Sequence, residues 1–344
     1  MSFALSRGNL NSATELRETI DPLALLKEGG AHVFLISPDA KLLVADGPAG
    51  APLPGGVLSW LAETTPPSHL WFMGYDKEGD AQVGAWLTEG QMKKLGEPTP
   101  ENGLAGFAWE ELMTVGPDFD EETSLVATQA VALANWHAAI RHCFSCGGLL
   151  EPSGAGWTRT CTQCAAVQYP RIEPAVIVAV LDPQQRLLLV HNMAWDEPRM
   201  SLLAGYVDAG ETPERAVARE VKEEAGLDVV SIEYLGSQPW PRPRSLMLAY
   251  RADVDCDEDY AYSPPDSQAA PEPEASGGLP CVQVRPDLIE VDRAQFFARD
   301  ELRDALASGE VMVPGPASVA HTVIATWLEE DGGEGLKATW SSYK

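Results

Sequence analysis

The chain has 344 residues, a hydrophobic fraction of 45% and a formal net charge of −27. This length and apolar content suit about two or three folded domains and exclude an intrinsically disordered chain. The acidic excess argues against a general nucleic-acid surface and against binding to anionic membranes. Because the sequence has neither a signal segment nor an apolar run of about 20 residues, we expect a cytoplasmic protein.

Residues 1–130 carry apolar runs, among them Ala31 to Ile36 and Lys41 to Ala45, separated by Gly and Pro turns. Tryptophans also recur through this region, at Trp60, Trp71, Trp86 and Trp109. The pattern predicts a mixed α/β domain, and no catalytic motif occurs in it. A helix is predicted from Ala127 to Arg141, leading into the next unit.

Four cysteines follow in two C-x-x-C pairs, Cys143 with Cys146 and Cys161 with Cys164. Four thiolates at this spacing favour one structural Zn²⁺ in a ribbon over residues 139–170. Gly147 and Gly148 allow a tight turn after the first pair, and Trp157 can cover a ribbon with little core. Disulfides are the alternative, which a cytoplasmic chain disfavours. Four thiolates leave no position for substrate, so this zinc would support the fold.

Beyond the ribbon, the sequence predicts a sheet within residues 171–332. Ala175 to Leu181 is an apolar strand, Asp182 and Pro183 form a turn, and Arg186 to His191 is the next strand.

A helix with a regular pattern of carboxylates comes next. Its defined residues are Gly205, Glu211, Arg219, Glu220, Val221, Glu223, Glu224, Gly226 and Leu227. Pro213 suits the first turn and Gly226 the end of the helix. Glu220, Glu223 and Glu224 lie at i, i+3 and i+4, so their carboxylates should converge on one face. Because like charges repel, we expect a cation there, and oxygen ligands alone favour Mg²⁺ or Mn²⁺. The alternative is a solvated acidic helix face.

A proline-rich segment, Ser237 to Met247, follows an apolar run. Its prolines exclude a helix and a central strand, so the segment should be extended and stiff. A linker is the alternative, but linkers seldom contain tryptophan or lead directly into a strand such as Leu246 to Val254. We therefore interpret the segment as an element of substrate specificity.

Residues 255–281 are rich in acids, prolines, serines and glycines, which predicts a mobile insertion. Cys256 and Cys281 flank it without ligand spacing and are predicted to be free thiols. The apolar pattern of a folded core returns at Val291 to Leu306 and at Pro316 to Leu328. The second segment is predicted to be a helix that begins at its proline. Residues 333–344 are predicted to be a frayed tail.

The glycines, acids, arginine and aliphatic residues between Gly205 and Leu227 match the Nudix box at every fixed position. The chain therefore resembles Nudix hydrolases. The resemblance implies an α/β/α sandwich with a mixed sheet, in which a loop-helix-loop binds divalent metal. It also implies hydrolysis of a nucleoside diphosphate linked to another group.

A four-cysteine ribbon before the box and an S-Q-P-W-P-x-P-x-S segment after it narrow the resemblance to the NADH pyrophosphatase branch. This branch cleaves NAD(H) to nicotinamide mononucleotide and AMP, and bacterial members also remove the NAD cap from RNA 5′ ends. The resemblance further implies a homodimer supported by the N-terminal domain. The family usually has phenylalanine where this chain has Arg242. The resemblance therefore leaves open which substrate within the class is preferred.

The resemblance also assigns roles to individual residues. Metal would be held by the carbonyl of Ala204 and the carboxylates of Glu220, Glu224 and Glu290. Glu211 would hold the loop and Arg219 would orient the glutamates, while Glu223 is a second acid near the metal. Substrate contacts would come from Tyr169, Tyr206, Gln238, Pro239, Trp240, Pro241, Arg242, Pro243, Arg244, Ser245 and Ala320, with Tyr206 stacking on nicotinamide. The sequence leaves open which carboxylate is the general base.

Two other functions stay open at this point. The chain could be a Nudix hydrolase of ADP-ribose or of a dinucleoside polyphosphate, with the proline-rich segment serving only in packing. It could instead be a non-catalytic zinc-ribbon module that senses a nucleotide, although the intact glutamates argue against this.

Overall fold

The computed structural model describes residues 1–45, 53–255, 284–330, 332 and 335–336, together with the backbone of 340–341. The predicted insertion after Asp255, including Cys256 and Cys281, lies outside these residues, as does most of the predicted tail. None of the helices in the described part of the chain is long and apolar enough to cross a membrane.

The N-terminal unit is built on a five-stranded sheet. Its strands are β1 (Ala31–Ile36), β2 (Leu42–Ala45), β3 (Leu70–Tyr75), β4 (Ala81–Trp86) and β5 (Phe107–Glu110), in the order β3-β4-β1-β2-β5. Strands β1 and β4 are parallel and the other pairs antiparallel, so the sheet is mixed. The helices are α1 (Pro22–Glu28), α2 (Gly55–Thr64), α3 (Glu89–Leu95), α4 (Leu112–Val115) and α5 (Glu121–Ala139). Side chains of α1 and α2 pack on one face of the sheet and those of α5 on the other.

Helix α5 begins six residues earlier than the predicted Ala127, because Asp120 caps it. The Asp120 carboxylate accepts hydrogen bonds from the N–H groups of Glu122 and Thr123, at 3.0 and 2.9 Å. After α5 comes the small antiparallel sheet of β6 (Leu150–Ser153), β7 (Thr158–Cys161) and β8 (Val167–Gln168).

The third unit is a six-stranded mixed sheet between helices. Its strands are β9 (Glu173–Leu181), β10 (Leu187–Asn192), β11 (Leu203–Tyr206), β12 (Val229–Trp240), β13 (Ser245–Val254) and β14 (Val291–Phe297). Strands β13 and β9 are parallel and the other pairs antiparallel. Helix α6 (Pro213–Ala225) packs on one face, and helices α7 (Arg299–Ser308) and α8 (Val319–Glu329) pack on the other. This is the expected α/β/α sandwich.

The C-terminal elements differ in detail from the predicted ones. Helix α8 opens at Ser318 and not at Pro316, because the Ser318 hydroxyl accepts from the N–H of Ala320 at 3.2 Å. Strand β15 (Val313–Pro314) pairs in parallel with β16 (Trp340–Ser341), so two residues of the predicted tail belong to a strand.

Candidate active site

Helix α6 presents the box glutamates to the sheet. Thr212 caps it, Pro213 is its first residue, and Gly226 ends it in the left-handed conformation with φ of 73°. Its apolar face, which includes Val217 and Val221, packs on the strands below. Glu220 and Glu224 share that inward side and are buried, so packing of the helix carries two carboxylates into a low-dielectric setting.

Arg219 ties the loop before α6 to the helix itself. Its Nε and Nη2 donate to the two oxygens of Glu211 at 3.0 and 2.9 Å, and Nη2 also donates to the carbonyl of Tyr206. Its Nη1 donates to Glu220 at 2.8 Å and to Glu223 at 3.1 Å. These contacts occupy the five N–H groups of the guanidinium, so the side chain has one orientation.

Glu220 lies directly against the backbone of β11. A methyl group on Gly205 would overlap the Glu220 carboxylate, so only glycine leaves room for it. Burial raises the pKa of Glu220 against the opposing effect of Arg219. The Gly205 and Glu220 of the box are therefore one packing unit.

Glu224 faces a second acidic loop. The pKa of Glu224 is raised to about 8, mainly by burial. The negative charges of four nearby carboxylates raise it further, those of Glu220, Glu290, Asp287 and Glu223. A carboxylate with this surrounding needs a positive partner to ionise at neutral pH.

Asp287, which sequence reasoning missed, shapes the loop before β14. Its Oδ1 accepts from the N–H groups of Ile289, Glu290 and Val291 at 3.0, 3.1 and 2.9 Å. Those hydrogen bonds hold the pKa of Asp287 below its usual range despite partial burial. An aspartate just after a proline and just before a strand is a turn signal that could have revealed it.

The three box carboxylates differ in their surroundings, and their convergence on one cation stays a prediction. Glu223 turns to Arg219 with its side chain 59% exposed, whereas Glu224 is buried beside the Glu290 loop. Among the described residues, the box glutamates and Glu290 do not form a cluster with ligand atoms within 4.8 Å of one another. The donors nevertheless fit Mg²⁺ or Mn²⁺, because all are oxygens and Glu224 is in excess negative surroundings.

The four ribbon cysteines come together as predicted. Their sulfur atoms lie within 4.8 Å of one another, with Cys143 and Cys164 at 3.7 Å and Cys146 and Cys161 at 3.5 Å, and none forms a disulfide. Backbone N–H groups point at two sulfurs at 3.4 Å. Such hydrogen bonds, from Cys164 and Gln163, lower the pKa of Cys161 to about 6. The arrangement fits one structural Zn²⁺.

Trp157 does not cover the ribbon but joins it to the N-terminal unit. Its Nε1 donates to the carbonyl of Phe72 at 2.7 Å, and the guanidinium of Arg17 lies 3.7 Å above its ring.

Two tyrosines expected at the substrate are exposed, Tyr169 by 68% and Tyr206 by 52%. Within the described chain no ring contact joins them. The Tyr206 hydroxyl lies 3.4 Å from the hydroxyl of Ser245, at the start of β13. Tyr206 thus borders the proline-rich segment.

The proline-rich segment is the end of an edge strand, as its prolines require, followed by a turn into β13. Gln238 is fully buried, accepts from the N–H of Leu5 at 2.9 Å and donates to the carbonyl of Ala317 at 2.8 Å. Trp240 packs against the core beneath α5. In this structure both side chains contact other parts of the protein, and their contact with substrate stays a prediction.

The turn after Trp240 is also held by protein contacts. Asn135 donates to the carbonyl of Pro241, and Arg242 forms an ion pair with Glu111 of the N-terminal unit. Arg244 donates to Glu173 from Nε and Nη2, at 2.8 and 2.6 Å. The unusual Arg242 is thus engaged with Glu111.

Ala320, a further predicted substrate contact, is fully buried in the core between the sheet and α8. Its contact with substrate stays a prediction.

Comparisons with known proteins agree with this architecture. Residues 171–309 match the model of the NUDIX domain. The NAD-capped RNA hydrolase NudC of Mycobacterium bovis is 34% identical over 332 residues, which are 94% of each chain. That of Shigella dysenteriae is 41% identical over 138 residues, 40% of this chain and 53% of that one. Nudix hydrolase 19, chloroplastic, of Arabidopsis thaliana is 30% identical over 321 residues, 78% of this chain and 72% of that one.

Proposed function

Because this chain belongs to the NADH pyrophosphatase family of Nudix hydrolases, we propose that it hydrolyses the diphosphate bond of NAD(H) to nicotinamide mononucleotide and AMP. We extend the proposal to the NAD cap of RNA 5′ ends, since the capped RNA presents the same diphosphate. The observation that carries the proposal is Glu224, a buried carboxylate whose pKa is raised to about 8 by burial and by four neighbouring acids.

Glu220, Glu224, Glu290 and the carbonyl of Ala204 would hold Mg²⁺ or Mn²⁺. Such ions neutralise the charge of a diphosphate and lower the pKa of a bound water. Other residues of the chain position these ligands. Arg219 holds Glu220 in place, and Gly205 leaves the space into which that carboxylate fits. Glu223, which is exposed and paired with Arg219, would accept a proton from the attacking water in this proposal.

Tyr206 would provide a flat surface for the nicotinamide ring beside the diphosphate. Its exposed ring borders Ser245 at the start of β13, and its carbonyl accepts a hydrogen bond from Arg219. Stacking on an aromatic ring is worth about 1 to 3 kcal/mol.

The proposal includes a homodimer. Large apolar side chains of the ribbon are exposed, with Phe144 and Leu149 at 53% and Val167 at 47%. Exposed apolar patches of this kind favour a protein partner. Light scattering of the purified protein would test this, and a monomer at all concentrations would contradict it.

The experiment on activity uses pure protein, NADH and either Mg²⁺ or Mn²⁺, with products separated by chromatography. We expect reduced nicotinamide mononucleotide and AMP in equal amounts, and loss of both with Glu220→Gln. An NAD-capped transcript should yield RNA with a 5′ monophosphate. Cleavage of ADP-ribose or a dinucleoside polyphosphate without cleavage of NADH would contradict the proposed substrate, and cleavage of none would contradict catalysis.

A further inference from the structure

A β-bulge lies at the start of β14, beside the loop that carries Glu290. Strands β10 and β14 pair in one register up to His191 opposite Arg293, and the next pair is Asn192 with Val291. Asp292 is therefore an extra residue on β14. Bulges beside active sites redirect neighbouring side chains, and this one lies two residues after Glu290.

The side chain of His191 closes onto this extra residue. Its Nδ1 lies 2.6 Å from Oδ1 of Asp292, so the ring donates to the carboxylate. The ring is 5% exposed, and its Nε2 is buried without a hydrogen-bond partner in the described part of the chain. The bond to Asp292 therefore orients the ring.

His191 lies on the sheet face opposite α6. Its neighbours in alternation, Leu187 and Leu189, pack in the core with α7 and α8. The ring thus belongs to a packed layer and gives Asp292 a rigid anchor. Glu197, held by Arg293 at 2.8 Å, closes the outer side, with its carboxylate 3.9 Å from Nε2.

The backbone of Glu290 is held from both sides of the residue. Its N–H donates to Asp287 at 3.1 Å, and its carbonyl accepts from the N–H of Met193 at 2.9 Å. Met193 follows β10 directly, so its hydrogen bond to the Glu290 carbonyl depends on where β10 and β14 stop pairing. The bulge sets that point.

We propose that His191 and Asp292 are a positioning pair, which locks the bulge and so directs Glu290 toward Glu224. The inference rests on the proposed function, because it takes Glu290 as a metal ligand. Neither residue touches substrate. Without the pair, β14 can regain regular pairing, with Asn192 opposite Asp292, and a slip of one residue would turn the Glu290 side chain to the other face.

The test measures binding of Mn²⁺ to the full-length protein from the electron paramagnetic resonance signal of free Mn²⁺, beside NADH kinetics. Asp292→Ala and His191→Leu remove the bond, and we expect Mn²⁺ binding about 10-fold weaker, with kcat reduced and KM for NADH little changed. Asp292→Asn keeps an acceptor and His191→Asn keeps a donor, so both should restore most of the affinity. Asp304→Ala removes one exposed acid from α7 as the control.

A double variant tests whether the pair acts through Glu290. We expect Asp292→Ala to add no loss of Mn²⁺ affinity in a Glu290→Gln background. An equal loss in both backgrounds would overturn the proposal. Unchanged Mn²⁺ binding in Glu290→Gln alone would also overturn it, while NADH hydrolysis by the unaltered protein would leave the proposed function standing.

Discussion

Replacement of Glu224 by Gln should stabilise the protein while abolishing its activity. The folded state raises the pKa of Glu224 from 4.5 to about 8, chiefly by burial. Between these values the folded protein holds a proton that the unfolded chain releases, so the free energy of unfolding falls as pH rises through this window. The amide of the Glu224→Gln variant does not titrate, so its stability lacks this dependence on pH.

The magnitude follows from the pKa. One pKa unit corresponds to about 1.36 kcal/mol, so ionised Glu224 destabilises the metal-free fold above pH 8 by at most about 5 kcal/mol. Water at the mouth of the site reduces this to about 2 to 3 kcal/mol. At pH 5.5, one unit above the ordinary pKa of 4.5, the unfolded chain is already mostly ionised, so the difference between the two proteins should be about 1.4 kcal/mol.

The assay is urea unfolding of both proteins at pH 5.5 and pH 8.5 in buffer without Mg²⁺ or Mn²⁺. Glu224→Gln should unfold at higher urea than the parent at both pH values, with the larger difference at pH 8.5, and NADH hydrolysis by it should be lost. Glu223→Gln is the matched control, because Glu223 is exposed and paired with Arg219. A Glu224→Gln variant equal to or less stable than the parent at pH 8.5 would refute the reasoning.

Three further predictions concern the site and its supports. Gly205→Ala should displace the Glu220 carboxylate and reduce kcat by about 100-fold or more. Gly90→Ala is the control and should leave kcat unchanged, because its new methyl group would meet only the Thr88 hydroxyl, at 3.9 Å. Gln238→Leu should lower the free energy of unfolding by about 2 to 4 kcal/mol, because it leaves the Leu5 N–H and the Ala317 carbonyl buried and unpaired. Denaturant titration measures this, and a change below about 1 kcal/mol would contradict the prediction. Cys161→Ser should release zinc and unfold the ribbon, whereas the control Ser145→Ala should retain zinc. Metal analysis measures this, and an unchanged zinc content in Cys161→Ser would contradict the site.

Patterns that depend on neighbours in the chain were predicted well. The apolar run from Ala31 to Ile36 has the same bounds as strand β1, and α6 ends at Gly226 because only a residue tolerant of positive φ suits that position. The ribbon cysteines also meet as their spacing predicts. In each case the physical cause lies within a few residues.

Contacts with residues that are distant in the chain do not follow from the motifs. Gln238 and Trp240 belong to a motif that suggests substrate contact, yet one is buried between Leu5 and Ala317 and the other packs beneath α5. The three glutamates of α6 share a helical face, yet Arg219 draws Glu223 outward while the sheet buries Glu224. Local spacing carries no information about which distant surface packs against a residue.

By itself, the sequence determined the family, the order of the units and the residue types at both candidate metal sites, because those depend on composition and on spacing along the chain. Tertiary structure decided what surrounds each candidate side chain. It buried Ala320 and Gln238, paired Arg242 with Glu111, and placed the Asp287–Glu290 loop beside Glu224. Burial and electrostatic surroundings arise only when distant segments pack together, so they follow from the fold and not from the motif.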